Sequence, residues 1–163
     1  MKVFKFGGAS VKDADSVRNV AGVLNLYSDD KIAVVVSAMG KMTNALERLL
    51  HAYYYDTGKI EEEFCNIKEY HISITYTLFP DEQHEIYKEL ENLFSLLRIR
   101  LQLPNSENYD YEYDQIVSVG EIISSKILSA YLNSAGIHNR WIDARSIIKT
   151  DNTYRDAKID WNK

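Results

Sequence analysis

Hydrophobic residues follow two patterns in the first quarter of the chain. Residues 2–6 form a short β-favouring run that stops at two glycines, and residues 32–36 form a continuous apolar run rich in β-branched side chains. Such a run is typical of a parallel strand buried on both faces. Between the runs, apolar side chains recur three and four positions apart, at Val17, Val20, Ala21, Leu24 and Tyr27. This spacing predicts an amphipathic helix with Asp13 as its N-cap.

Helical spacing continues over residues 43–103. It predicts one helix around residues 46–54, another over residues 60–78, and a third that starts at Pro80-Asp81-Glu82, where a missing backbone donor is harmless. We expect the polar, tyrosine-rich residues 104–113 to form a loop. A further helix is indicated by one apolar face, made of Ile123, Ile127, Leu128, Tyr131 and Leu132. Gly136 suits the left-handed position after it, and residues 137–142 are predicted to form a third strand.

The order of these elements predicts the fold class. Strand, helix, strand, several helices, helix and strand indicate an α/β fold with a parallel sheet and right-handed crossovers. The chain has 163 residues, which is one domain or a part of a larger one. Only 2 prolines and 7 glycines occur, so long helices are expected and each glycine is informative.

Composition excludes several classes of protein. Lys plus Arg number 19 against 24 Asp plus Glu, a net charge of -5, which argues against a nucleic-acid partner. No apolar run approaches the roughly 20 residues of a membrane span, and the lysines near the start argue against a signal peptide. A single cysteine, Cys65, cannot form an internal disulfide, so we expect a cytoplasmic protein. The scattered histidines show no metal-ligand spacing, and no metal site is expected on this chain.

Two segments at predicted strand ends could bind an anion. In an open parallel sheet, ligands bind beyond the carboxyl ends of the strands. Residues 5–10, Lys-Phe-Gly-Gly-Ala-Ser, combine a cation with glycines at a helix start, where amides can donate to a phosphate. They match neither the dinucleotide fingerprint nor the P-loop. A tight turn with a solvated lysine is an equally good interpretation of this segment alone.

The second segment, residues 37–44, also joins a strand to a helix. Alone it is best interpreted as an ordinary capped turn, but two such turns at adjacent strand ends favour one shared site. Glu121 lies in the first turn of a predicted helix, where a glutamate usually complements the helix dipole and could instead bind a substrate amine. Asp143 and Arg145 could bind substrate, although a surface ion pair is the commoner case.

Read in order, these segments resemble the aspartokinases of the amino-acid kinase superfamily. The resemblance rests on Lys5-Phe6-Gly7-Gly8-Ala9-Ser10-Val11, Val34-Val35-Val36-Ser37-Ala38-Met39-Gly40-Lys41-Met42-Thr43-Asn44, Gly120-Glu121 with Ser124, and Trp141-Ile142-Asp143-Ala144-Arg145 with Ile148, Thr150-Asp151 and Tyr154. It spans nearly the whole chain. It implies the amino-terminal lobe of a parallel-sheet three-layer sandwich of the carbamate kinase-like type, over residues 1–163, with a helical insertion at about residues 44–115.

The resemblance also implies a reaction. ATP with Mg²⁺ would phosphorylate the side-chain carboxylate of L-aspartate, giving 4-phospho-L-aspartate and ADP, the first step toward lysine, threonine and methionine. Lys5 is the implied catalytic residue. The residues implied to bind the phosphates are Lys5, Gly7, Gly8, Ser10 and Gly40. Those implied to bind aspartate are Ser37, Thr43 and Glu121, the last through the α-ammonium group. Losing one well-aimed donor at a developing charge costs about 10²–10³ in rate. A homo-oligomer is also expected.

This chain departs from the family pattern in two ways. Ala9 stands where the family usually has threonine, which removes one hydroxyl. The family's kinase domain also continues with a glycine-rich Arg-Gly-Gly-Ser-Asp-type segment, a nucleotide-base pocket and regulatory ACT domains, none of which has a counterpart here. We therefore expect the chain to be inactive alone, and to carry no feedback inhibition.

Three other interpretations stay open. The chain could belong to another superfamily member, such as a kinase for acetylglutamate, glutamate, carbamate or uridylate. It could be the kinase end of a fused aspartokinase–homoserine dehydrogenase. It could also be a non-catalytic interaction module that uses its acidic, tyrosine-rich helical segment, about residues 53–113. A cleft that brings Lys5 and Glu121 together would favour the kinase.

Overall fold

The fold places two parallel strands beside a bundle of helices. The structure, a computed structural model, describes residues 1–161, so the last two residues of the predicted lobe lie outside the described residues. The strands are β1 (Lys2–Phe6) and β2 (Ile32–Val36), paired in parallel with Lys5 opposite Val35. The helices are α1 (Ala14–Asn25), α2 (Met42–Tyr55), α3 (Ile60–Leu78), α4 (Glu85–Gln102), α5 (Tyr109–Ile116), α6 (Val119–Ser134) and α7 (Ala144–Ile147).

The helices and one face of the sheet share a single hydrophobic core. α6 packs on β2 and also on α1, α2, α3 and α4, so it lies at the centre of the bundle. The fully buried side chains that fill this core include Leu46, Leu49, Ile67, Leu90, Phe94 and Ile123. The other face of the sheet is open, because Val3 is 65% exposed and Val35 is 52% exposed. The prediction that β2 is buried on both faces is therefore wrong for the part of the chain that the structure describes.

Local signals explain several element boundaries. Asp13 caps α1 as predicted, because its carboxylate accepts the Ser16 amide at 2.7 Å. α3 has the predicted bounds. α6 ends in a Schellman motif, in which Gly136 at φ +80° lets the Ile137 amide reach the Leu132 carbonyl at 2.8 Å.

Three local predictions are wrong. α4 begins at Glu85 rather than at Pro80, because Asp81 closes a turn and His84 caps the helix by accepting the Ile86 amide at 3.2 Å. The predicted loop at residues 104–113 gives way to α5 from Tyr109 onwards. Among the residues described, 137–142 have no strand partner, because the Asn139 amide bonds the Asn133 side chain at 2.9 Å.

One buried histidine in α3 makes stability depend on pH. The side chain of His71 is 0% exposed, and its Nδ1 donates to the Ile67 carbonyl at 2.7 Å, which leaves the buried Nε2 without a partner among the described residues. Burial lowers the pKa of His71 from its ordinary value to about 4. The protonated ring is therefore disfavoured in the folded state and free to form in the unfolded state.

We expect the free energy of unfolding to fall as pH drops through this range. His71 takes up a proton near pH 6.5 in the unfolded state and only near pH 4 in the folded state. Its contribution to the free energy of unfolding is therefore complete above pH 6.5, and it declines by about 3 kcal/mol as the pH falls to 4. Urea unfolding at several pH values measures this slope. His71→Leu should flatten it, and His51→Leu, at an exposed histidine of α2, should not. Equal slopes in the two variants would contradict the assignment.

Candidate functional site

The first predicted turn follows β1 directly. Gly7 is the N-cap of a short 3₁₀ helix, Gly8–Val11, and its carbonyl accepts the Ser10 amide at 2.9 Å. Lys5 is exposed and lies one residue before the end of β1. Its ammonium group has no ion pair or hydrogen bond with any residue from 1 to 161, so this charge is available to a ligand.

The second turn, residues 37–41, lies directly against the first. The Ser37 amide donates to the Phe6 carbonyl at 3.0 Å, and the Gly40 amide donates to the Gly8 carbonyl at 2.9 Å. A Cβ atom on Gly8 would lie 2.6 Å from the Ala38 carbonyl oxygen and 2.7 Å from that of Gly40. Only glycine allows the two backbones to approach this closely. The sequence expectation that the turns are neighbours is thus met in the structure.

Gly40 has a conformation that other residues rarely adopt. Its φ is +55°, and a Cβ atom would lie 2.5 Å from the hydroxyl oxygen of Tyr70. Both facts call for glycine at this position. The glycines singled out from the sequence as phosphate-binding therefore also have a structural reason to be there.

α6 contacts the second turn through residues in its amino-terminal half. The Ala38 amide donates to Glu121 Oε1 at 3.3 Å, and the hydroxyl of the buried Ser124 donates to the Ser37 carbonyl at 2.8 Å. Gly120 makes this packing possible, since a Cβ there would lie 2.8 Å from Leu46 Cδ1 and 3.0 Å from Ala38 Cβ. Glu121 thus holds the second turn with one oxygen, and within the described chain its other oxygen has no hydrogen bond.

The remaining candidates lie in the two turns or just after them. Thr43 is the second residue of α2 and is partly buried, and Ser10 is exposed in the 3₁₀ helix. No hydrogen bond from the hydroxyls of Ser10, Ser37 or Thr43 occurs within residues 1–161. Exposed or partly buried hydroxyls without an internal partner can bind a ligand. Together with Lys5 and Glu121, they put a cation, hydroxyls, amides and a carboxylate at one end of the sheet.

An unforeseen group of side chains lies near Glu121. The Tyr113 hydroxyl donates to Glu47 Oε1 at 2.7 Å. This bond, followed by burial and by the charge of Glu47, raises the pKa of Tyr113 to about 12, with Glu121 adding a smaller effect in the same direction. The Arg155 guanidinium lies 4.2 Å from the centre of the Tyr113 ring and opposes the shift. Sequence reasoning missed this group because it treated Tyr113 as part of a loop.

The segment after α6 is engaged within the protein. The Arg145 guanidinium pairs with the Asp143 carboxylate at 2.6 Å, and this bond lowers the pKa of Asp143. The surface ion pair considered from the sequence is therefore confirmed. Trp141 donates to the Ser125 hydroxyl at 2.9 Å, which fixes the segment to α6. A shallow cavity of about 240 Å³ lies between this segment, β2 and Glu121.

Two features of residues 1–161 bear on ligands and membranes. Across these residues, no three histidine, cysteine, aspartate or glutamate side chains gather as they would around a metal ion. None of the helices found in this part of the chain has both the length and the apolar character that crossing a membrane requires.

Replacing Gly8 by alanine is expected to disrupt the paired turns. The new Cβ would meet two backbone oxygens, which cannot rotate away as a side chain could, so the turns must separate. We expect a loss of stability of about 1–3 kcal/mol and loss of protection from exchange at the Gly40 amide. Urea unfolding and amide exchange by NMR measure the two effects.

Gly22→Ala is the matched control. Gly22 lies within α1, is exposed and has no atom within 4 Å of the added Cβ, so alanine should stabilise the helix by about 0.5–1 kcal/mol. If Gly8→Ala were as well tolerated as Gly22→Ala, the close approach of the turns would be wrong.

Comparison with known proteins shows the family to which this chain belongs. Residues 1–162 match the Amino acid kinase family, and the chain therefore belongs to it. The relatives it resembles within the family are aspartokinases. Aspartokinase 2, chloroplastic, of Arabidopsis thaliana is 36% identical over 155 residues, which are 91% of this chain and 28% of that protein. Bifunctional aspartokinase/homoserine dehydrogenase 2 of Escherichia coli is 30% identical over 92% of this chain and 18% of that protein.

Solved structures show the same relationship. E. coli aspartokinase III in complex with lysine and aspartate aligns with 98% of this chain at a TM-score of 0.87 and 25% identity. The complex of the same enzyme with aspartate and ADP also aligns with 98% of this chain, at a TM-score of 0.79 and 28% identity. This chain covers 35% of each of those chains. The resemblance and the fold class expected from the sequence are confirmed, and the chain spans about a third or less of the length of these relatives.

Proposed function

We propose that this chain carries the phosphate-binding and aspartate-binding residues of an aspartokinase. The reaction is transfer of the γ-phosphoryl group of ATP to the side-chain carboxylate of L-aspartate, which gives 4-phospho-L-aspartate and ADP. The observation that carries the proposal is the hydrogen bond from the Ala38 amide to Glu121, at 3.3 Å. It joins the only carboxylate among the proposed site residues to the second turn, which in turn bonds the glycine turn that follows Lys5.

The proposed roles follow from charge and position. Lys5 is an exposed cation at a strand end and would neutralise the transferring phosphoryl group. Gly7, Gly8, Ser10 and Gly40 would bind phosphate oxygens through backbone amides and one hydroxyl. Phosphoryl transfer needs positioning and charge stabilisation more than covalent chemistry, and these groups supply both. A structural relative solved with aspartate and ADP supports the choice of ligands.

Glu121 would bind the substrate amine. One of its oxygens is held by the Ala38 amide, so the carboxylate has a fixed orientation, and the other oxygen is open to an ammonium group. Ser37, in the second turn, and Thr43, near the start of α2, would donate hydroxyls to the substrate carboxylates. This arrangement gives opposite charges to the two ends of the site, with Lys5 for phosphate and Glu121 for ammonium.

Magnesium fits this chain poorly as a resident ion. Among residues 1–161 no cluster of carboxylates or histidines could enclose it. Mg²⁺ usually keeps several waters and binds through the phosphates of its nucleotide, so we propose that it arrives with ATP. No step at the residues discussed above depends on a protein-bound metal.

Other features of the whole enzyme are proposals of the same kind. We propose a cytoplasmic homo-oligomer that acts at the start of lysine, threonine and methionine synthesis. The single cysteine of this chain cannot form an internal disulfide, which supports a reducing compartment such as the cytoplasm. The name of the Arabidopsis relative refers to the chloroplast, so the compartment can differ within the family.

The isolated chain of 163 residues is expected not to turn over. The relatives are about three times longer or more, and we propose that residues beyond this segment complete the nucleotide site. The test is coupled ADP release with Mg-ATP and, in turn, L-aspartate, L-glutamate and N-acetyl-L-glutamate. Release above the ATP-only blank with aspartate, lost in Lys5→Ala, would contradict the expected inactivity. Release with glutamate or acetylglutamate alone would contradict the aspartokinase assignment.

A further inference from the structure

The hydroxyl of Tyr70 lies where the two glycine turns meet. Tyr70 belongs to α3, within the long helical segment, and is partly buried. It donates a hydrogen bond to the carbonyl of Lys12, the residue that directly follows the 3₁₀ helix of the first turn. A residue of the helical segment thus reaches the backbone next to the proposed phosphate site.

The same hydroxyl also lies close to the second turn. An added Cβ on Gly40 would lie 2.5 Å from the Tyr70 oxygen and 3.6 Å from Lys12 Cβ. The Tyr70 hydroxyl therefore occupies the space that a side chain at position 40 would need. The Gly40 amide, in turn, donates to the Gly8 carbonyl at 2.9 Å. One hydroxyl thus bonds the residue that follows the first turn and lies beside Gly40 of the second, where the two turns bond each other.

We infer that Tyr70 is a positioning residue that holds the two glycine turns in register for phosphate binding. The inference rests on the proposed function of these turns. Amides from two separate turns can bind the same phosphate only if their spacing is fixed, and a displacement of about 1 Å can cost 10²-fold in activity. Neither turn contains a side chain of its own that crosses to the other in this way, whereas Tyr70 is held by a helix of 19 residues.

The environment of Tyr70 keeps its hydroxyl able to donate. Burial, and to a smaller extent the negative charge of Asp13, raise the pKa of Tyr70 above its ordinary value. The group is therefore protonated at neutral pH. α3 also packs on α1 and α2, the two helices that follow the two turns, so the helix that carries Tyr70 is held against both.

Tyr70→Phe tests the inference because it removes only the hydroxyl. Two readouts are needed on the 163-residue chain. The first is hydrogen exchange of the Gly40 amide by NMR, which we expect to become roughly threefold to tenfold faster. The second is the affinity for inorganic tripolyphosphate, followed by shifts of the turn amides, which we expect to fall about tenfold.

Tyr87→Phe is the matched control. Tyr87 also donates to a backbone carbonyl, that of Phe79 at 2.6 Å, but it does so from α4. A general loss of stability would affect both variants alike, whereas a positioning role predicts faster Gly40 exchange and weaker tripolyphosphate binding in Tyr70→Phe alone.

The remaining outcomes overturn the inference in distinguishable ways. If the wild-type chain binds tripolyphosphate and Tyr70→Phe binds it equally well, Tyr70 does not position the turns. The same conclusion follows if Gly40 exchange is unchanged. If the wild-type chain shows no shift at either turn with tripolyphosphate, the proposed phosphate site itself is wrong, and the positioning role fails with it.

Discussion

Lys5→Ala is expected to produce the largest loss of function of any single substitution in this chain. The Lys5 ammonium is exposed at the end of β1 and has no internal partner in the described part of the chain, so its removal leaves no buried group unsatisfied. A hydrogen bond to a charged group contributes about 1.5–3 kcal/mol, so tripolyphosphate should bind roughly 10- to 100-fold more weakly. In a longer polypeptide that turns over, kcat should fall about 10²–10³-fold.

A lysine at the other end of the sheet provides the control for Lys5. Lys31 is also exposed and directly precedes β2, so Lys31→Ala makes the same change in net charge away from the turns. NMR or calorimetric titration with tripolyphosphate should show nearly unchanged affinity for Lys31→Ala. Equal losses in the two variants would mean that binding reflects overall charge and that Lys5 has no specific role.

Arg100→Ala is expected to cause the largest loss of stability. Its partner Glu112 is 0% exposed. The Glu112 carboxylate accepts two hydrogen bonds from the Arg100 guanidinium, one of them from Nε at 2.9 Å, and a third from the Ser106 amide at 2.9 Å. Removing Arg100 leaves a buried carboxylate charge without its counter-ion, which typically costs about 3–5 kcal/mol. Because a whole domain is stable by only about 5–15 kcal/mol, urea unfolding should show a large shift in the midpoint.

Arg98→Ala distinguishes this buried pair from an ordinary surface pair. Arg98 lies two residues earlier on α4 and pairs with Glu61 at 2.8 Å, but the two side chains are 47% and 67% exposed. Its loss should cost about 1 kcal/mol or less. The buried-charge account would be wrong if Arg98→Ala and Arg100→Ala shifted the midpoint equally. Arg100→Ala combined with Glu112→Leu should recover much of the lost stability.

Sequence patterns predicted the elements that depend on local physics. The Asp13 cap of α1 and the Gly136 cap of α6 depend on neighbouring residues only, and both are present. The β-branched run of β2 is also present as a strand, paired with β1. α5 was missed because its stability depends on a distant contact, the pair of Glu112 with Arg100. Asn108, which caps α5 by accepting the Tyr111 amide at 3.0 Å, was the available local signal.

The prediction of a third strand at residues 137–142 is wrong for a related reason. A strand forms only where another strand offers a ladder of hydrogen bonds, and a sequence does not reveal whether that partner is present. Here the backbone near Asn139 bonds a side chain of α6, and Trp141 bonds Ser125 of the same helix. The β-favouring composition of residues 137–142 was therefore outweighed by tertiary contacts.

The candidate site was partly predictable from topology. Parallel strands end at the same edge of a sheet, so two turns with glycines and lysines were expected to meet there, and they do. The hydrogen bond of Glu121 with the Ala38 amide was not predicted, because the sequence offered only a complement to the helix dipole or a group that binds a substrate amine. Tyr70 gave no sequence signal, because a tyrosine on a helix is usually interpreted as a packing residue.

The most direct test of the central claim is a titration of the ¹⁵N-labelled chain with L-aspartate, followed by NMR. The account predicts saturable shifts at the amides of Ala38, Thr43 and Glu121, weaker shifts with L-glutamate, and none in Glu121→Gln. This variant keeps an oxygen that can accept the Ala38 amide and removes only the charge. Shifts that are absent from the turns, or that persist unchanged in Glu121→Gln, would contradict the claim that α6 and the two turns form one aspartate site.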